Sequence, residues 1–231
     1  MFTLPRCYSF MLLIMSSAAF SFTVSASGIT LSGTRVIYPQ ANKQVSLAVK
    51  NMSDTSRVLV QTWISDDGDN KRDDFIVTPP LYVSNPGDEN TLRLMYVGES
   101  LPRDKETLFY FSAKSIPAVD KDKTAGKNLL MLATVTRIKL FYRPDGLKPA
   151  IEKAQAMLKV NRLQDGLIIE NPTPYYITLA KMRVNNSPLQ NAMIIPYGKV
   201  HIKCKTAGGD VFYYRTINDF GGMTEEQEQI L

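Results

Sequence analysis

The chain has 231 residues and a formal net charge of +5, with 27 Lys and Arg against 22 Asp and Glu. That length exceeds a minimal fold and suits one large domain or two of about 100 residues each. The basic excess is mild and spread along the chain, without the dense Lys/Arg blocks of a nucleic-acid binder.

Residues 1–26 have the make-up of a secretory signal peptide. Arg6 sits in a short polar start, an apolar run extends from Phe10 through Val24, and Val24-Ser25-Ala26 supplies small residues for cleavage. A membrane anchor is the alternative, but Ser16, Ser17, Ser21, Thr23 and Ser25 interrupt the run and make a roughly 20-residue spanning helix a poor fit. The mature chain from Ser27 is expected to be exported and not inserted in a membrane, and it loses only Arg6 among the charged residues. Cys7 leaves with the signal, so Cys204 cannot form an intrachain disulfide; a buried small apolar residue is the commoner role for such a cysteine, with a reactive thiol or a bridge to a second chain as the alternatives.

From there, short segments rich in Val, Ile, Thr, Tyr and Phe alternate with Gly, Pro, Asn and Asp clusters, which predicts a mostly β protein. Seven strand candidates come first: GTRVIYP, QVSLAVKN, RVLVQTWISD, DFIVTPPLYV, NTLRLMYV, TLFYFSAKSIP and NLLMLATVTRIKLFY. Their number and spacing predict an immunoglobulin-type Greek-key sandwich over 27–143. After the turn RPDGLKP, a second series, AMLKVNRLQ, GLIIENPT, YYITLAKMRV, MIIPYGKVHIKC and VFYYRTIND, predicts another β-sandwich over 144–231. The fold class is therefore all-β, with two immunoglobulin-like sandwiches. Trp63, in the third segment, is expected to be a core aromatic.

Catalytic and metal signatures are missing. There is no Gly-x-Ser-x-Gly elbow, phosphate-cradling glycine loop or Cys-x-x-Cys pair, and His201 is the single histidine. The acidic stretch SDDGDNKRDD has Lys71 and Arg72 where a calcium loop needs a ligand and a glycine, so a solvated hairpin loop is expected instead. No enzyme activity, cofactor or metal is expected.

The blocks GTRVIYP, QTWI, VTPPL, NTLRL, LPRDKETLFYFSAKSIP, TRIKLFYRP, NPTPYY and TINDFGG, in that order, resemble the PapD-like periplasmic pilus-assembly chaperones of the chaperone–usher pathway. The resemblance implies a periplasmic protein that completes pilus subunits by lending them a strand and passes them to an outer-membrane usher. It also assigns residues. The lent strand spans Leu129 to about Val135, with Leu130, Leu132 and Thr134 offered to the pilus subunit and the opposite face, Leu129, Met131, Ala133 and Val135, closing the chaperone's own core. From periodicity alone, a central strand covered on both faces within one molecule is the alternative. Thr134 departs from the large aliphatic residue usual there. Arg35 and Lys139 match the pair that holds the carboxylate ending the pilus subunit's chain, and Glu106, Arg143 and Asp219 match an ionic network between the domains. Between KSIP and the lent strand lie only ten residues, Ala118 to Lys127, without a cysteine pair, as in the short-loop subclass. The competing function is an exported immunoglobulin-like pilus subunit or adhesin, which would more typically carry a disulfide and an N-terminal donor extension.

Overall fold

The structure, a computed structural model, describes residues 28–118 and 132–231. The expected signal peptide and Leu129, Leu130 and Met131 of the lent strand lie outside the described residues. Among those described, no helix is long and apolar enough to cross a membrane.

Nine strands build the first sandwich: β1 (Ile29–Leu31), β2 (Arg35–Pro39), β3 (Val45–Asn51), β4 (Val58–Ser65), β5 (Phe75–Thr78), β6 (Leu81–Ser84), β7 (Glu89–Tyr96), β8 (Thr107–Pro117) and β9 (Thr134–Arg143). One sheet has the order β1-β3-β7-β5 and the other β2-β9-β8-β4-β6. Strict alternation writes the core. In β4 the side chains of Val58, Val60, Thr62 and Ile64 are buried, and β8 adds Phe109, Phe111 and Ala113 from the paired strand. Tyr38, Phe75, Tyr96 and Tyr142 pack edge-on or stacked at one end, with ring centroids 4.9–6.0 Å apart.

The same alternation corrects the expectation for Trp63. As an odd-numbered residue of β4 it faces outward, half-buried, with the Lys71 ammonium 5.6 Å from its ring centroid. The segment 74–83 is also two strands rather than one. Pro79 and Pro80 lack the N–H that a ladder needs, and the chain crosses there from β5 in one sheet to β6 in the other.

After β9 a short helix, α1 (Ile151–Ala154), and a 3-10 turn (Gln155–Met157) precede the second sandwich; neither was expected. It contains β10 (Lys159–Leu163), β11 (Gly166–Glu170), β12 (Ile177–Val184), β13 (Ser187–Pro188), β14 (Ala192–Ile194), β15 (Lys199–Lys203), β16 (Val211–Thr216) and β17 (Gln227–Ile230). Its sheets are β10-β11-β15 and β13-β12-β16-β17, the latter with β14 also on β12. The segment 193–204, expected as one strand, divides at the Pro196–Gly198 turn, and β1, β13 and β17 are additions. A separate apolar cluster built on Leu167, Ile169, Leu179, Met182 and Phe212 fills this sandwich. Cys204 is a free, half-buried thiol at the rim of that cluster, not fully inside it, and burial raises its pKa.

Each sandwich fastens one turn with a buried asparagine. Asn51 donates from its amide nitrogen to the carbonyls of Ser56, Ser84 and Asn85. Asn171, which opens the NPTPYY motif, donates to Tyr175 and Ile195 and accepts from Thr173. Both side chains are fully buried, so their polar atoms need these partners.

Candidate functional site

Parallel pairing of β2 with β9 sets Arg35 directly opposite Lys139, so their side chains leave the same face of the sheet. Val36 and Tyr38, with Leu140 and Tyr142, face the core; Arg35, Lys139, Phe141 and Arg143 face the second sandwich. The pattern R-x-K-x-F-x-R in β9 thus puts three cations and an aromatic ring on one side of one strand.

Arg35 donates to the carbonyl of Ile217 at 3.1 Å, across the interdomain gap, and its guanidinium lies 5.6 Å from the Phe141 ring centroid. Its Nε is buried with no hydrogen-bond partner. Burial lowers the pKa of Arg35, against the pull of Asp219 and Glu106; burial and then the neighbouring Arg35 charge lower that of Lys139. Lys139 forms no ion pair among the described residues. Two adjacent, partly desolvated cations without a carboxylate of their own favour an incoming anion.

They border a cavity of about 290 Å³ whose walls include Thr34, Tyr110, Arg137, Thr178 and Ile217. Thr178, from β12, adds a buried hydroxyl oxygen that has no partner. Sequence reasoning missed it, because a threonine in a strand carries no mark of burial. Tyr110 and Arg137 are held on the cavity wall by the acidic hairpin loop. Tyr110 donates to Asp67 at 2.9 Å, while Arg137 stacks 3.9 Å from the Tyr110 centroid, donates to the Asp66 carbonyl and lies 3.3 Å from Asp69. The loop is exposed, as expected, yet it braces the site.

Below the cavity, Arg143 bridges the sandwiches. It donates to Glu106 at 2.7 Å and, with both terminal nitrogens, to Asp219 at 2.6 and 2.8 Å. The second Glu106 oxygen accepts from the backbone N–H of Tyr176, in the motif that Asn171 shapes. Burial works against the Arg143 charge, but the hydrogen bonds and charges of Asp219 and Glu106 outweigh it and raise its pKa. Burial raises that of Glu106, with Arg143 and the Tyr176 N–H pulling it back.

Of the lent-strand residues, Leu132 lies 69% exposed just before β9, and Thr134, its first residue, is exposed. The face of β9 that continues the core is the one expected to be offered to the pilus subunit, not its opposite. The β8–β9 register is unbroken from Thr107↔Tyr142 to Ser115↔Thr134, so Thr134 shares its face with core-facing Ile138 and Leu140, while Val135 points outward, 51% exposed. Toward the start of β9 the core face opens: Ile138 is partly buried, and Thr134 and Leu132 are exposed.

Family models match both halves of the chain: a pili and flagellar-assembly chaperone PapD N-terminal domain over 28–148, and a pili assembly chaperone PapD C-terminal domain over 153–228. The chain is 44% identical over 210 residues to chaperone protein FocC of Escherichia coli, covering 90% of this chain and 92% of that one. It is 39% identical to chaperone protein FimC of Escherichia coli K12, covering 89% and 85%. Among solved structures, the periplasmic chaperone SfaE superposes with a TM-score of 0.78 at 40% identity, covering 88% of this chain and all of that one. The Salmonella enterica SafB chaperone complex with SafA pilin gives 0.80 at 28%, covering 90% and 99%.

Proposed function

Because the chain belongs to the PapD-like pilus-assembly chaperones, we propose that it works in the periplasm, capping pilus subunits that lack a strand and handing them to an outer-membrane usher. The carboxylate that ends the pilus subunit's chain sits between Arg35 and Lys139, which fixes where its pairing with β9 begins. Leu132, and Leu130 before it, then enter the groove of the bound pilin, and Thr134 contributes only a small side chain. The domain limits are 27–143 and 144–231, with Glu106, Arg143 and Asp219 holding the cleft between them.

The observation that carries this reading is the pair of adjacent half-buried cations, Arg35 and Lys139, at a strand whose core face is exposed at its start. Burying two leucines contributes about 3–6 kcal/mol. Association costs about 4–15 kcal/mol, so main-chain pairing and the carboxylate contacts must supply the remainder. Release of the pilin needs no catalytic residue, since a better-fitting strand can displace β9.

Co-purification of a pilin encoded beside this chain tests the proposal. The native protein is expected to retain the pilin and Lys139→Ala to lose it. Equal recovery with both would overturn the carboxylate anchor, and no recovery of an expressed pilin with either would overturn the pairing.

A further inference from the structure

The outer face of the second sandwich holds an open cavity of about 660 Å³ that shares no lining residue with the cleft. Its volume falls within the roughly 300–1,000 Å³ of small-molecule sites. A β-bulge shapes it. Ala180 pairs with Arg215 and Arg183 with Tyr213, leaving Lys181 and Met182 opposite a single residue. Lys181 adopts φ 53°, a left-handed conformation uncommon for a residue with a side chain, and its N–H leaves the ladder to donate to Asn191 Oδ1 at 3.1 Å. Both Lys181 and Asn191 line the cavity.

The charges around it are lopsided. Arg183, stacked 3.5 Å from the Tyr213 centroid, takes the one lining carboxylate, Glu226, at 2.9 Å. Arg215 donates only to the Thr224 carbonyl, and Lys181 forms no ion pair among the described residues. Leu189 and the half-exposed Met223 supply apolar wall between these cations.

We propose that this cavity binds a small organic anion with an apolar body, of the alkyl or aryl carboxylate or sulfonate class. Lys181 and Arg215 meet the anionic head through charge-assisted hydrogen bonds, and Leu189 and the adaptable Met223 side chain cover the body. The volume of the site suits such a ligand, and the two cations without carboxylate partners among the described residues set the sign of its charge. The site shares no lining residue with the cleft, although β12, and β16 with the residue after it, carry residues of both on one face of the sheet, and it does not rest on the chaperone reading.

The probe is 1-anilino-8-naphthalenesulfonate, titrated into the purified protein by fluorescence beside N-phenyl-1-naphthylamine, which has the same rings and no charge. Lys181→Glu and Met223→Glu both lie on exposed side chains, and thermal melts establish that each variant is folded. One saturable site is expected, at least tenfold tighter for the sulfonate, weakened at least tenfold by each variant and unchanged by Lys139→Ala. Equal affinity for the two probes, insensitivity to both glutamates, loss on Lys139→Ala or no saturable binding would each overturn the proposal.

Discussion

Arg143→Ala deletes three charge-assisted hydrogen bonds, and its two partners differ in what they can do afterwards. Asp219 is part-exposed and rehydrates; Glu106 is 3% exposed and retains only the Tyr176 N–H. Removing one member of a buried pair costs about 3–5 kcal/mol, and the hydration open to Asp219 places this case near the lower end. The loss depends on pH. Burial already raises the folded pKa of Glu106, and without Arg143 the main opposing pull is gone. The folded state then binds a proton that the unfolded state releases above its ordinary Glu value of about 4.3, so stability is greatest below that value and falls as pH rises through the folded pKa. Each unit of separation is worth about 1.4 kcal/mol. Urea unfolding followed through Trp63, the single tryptophan, should show a deficit of about 3 kcal/mol at pH 7.5 that shrinks markedly at pH 4.5. Glu106→Gln added to Arg143→Ala should recover much of it. A deficit below about 1 kcal/mol at pH 7.5, or the same deficit at both pH values, would refute the reasoning.

Three further outcomes follow from the cleft and its supports. Asn171→Ala leaves the Tyr175 and Ile195 carbonyls without their buried donor and should cost about 2 kcal/mol or more, read as a lowered thermal midpoint of the second sandwich. Thr178→Val removes a buried hydroxyl without a partner, so the free protein should be unchanged or stabilised by about 1 kcal/mol in urea unfolding; a comparable loss would mean that the hydroxyl is satisfied. Burial holds the Lys139 pKa below its ordinary value, so a peptide copying the last residues of a pilin should lose affinity as pH rises toward about 10, earlier than an unperturbed lysine would allow. Isothermal titration from about pH 7 to 10 measures this, and Lys139→Arg should flatten the profile.

Alternation makes much of the molecule legible in its sequence. In TRIKLFYRP the odd positions separate Lys139 and Arg143 from the apolar even positions, and the blocks around Arg35, Glu106 and Asp219 are long enough to show the family resemblance. Alternation applied to Trp63 also places it outside, once the burial of Val58, Val60 and Ile64 sets the phase. Long-range relations are what sequence does not carry. No local pattern says that β2 lies parallel to β9, that β5 and β6 belong to different sheets, or that Thr178 of one sandwich faces Arg35 of the other. The core side of the lent strand, by contrast, is legible by alternation, which carried back from Lys139 and Arg143 puts Thr134 and Leu132 on the face of Leu140, as the register with β8 does; the largely apolar character of both faces of LLMLATV hides that phase.

The exposed start of β9 divides the strand mechanically. From Thr134 to Tyr142 each residue is paired with β8, and from Lys139 to Arg143 β2 flanks the other side, so tension along the strand loads many hydrogen bonds together in shear. Before Thr134, Leu132 and Ala133 stand outside every ladder of the described residues. On the proposed reading a partner strand lies along the edge of β9 that β2 leaves open and is exchanged pair by pair, while the force that would unravel the sandwich itself has to break its bonds all at once. On that reading a bound strand leaves without its carrier unfolding.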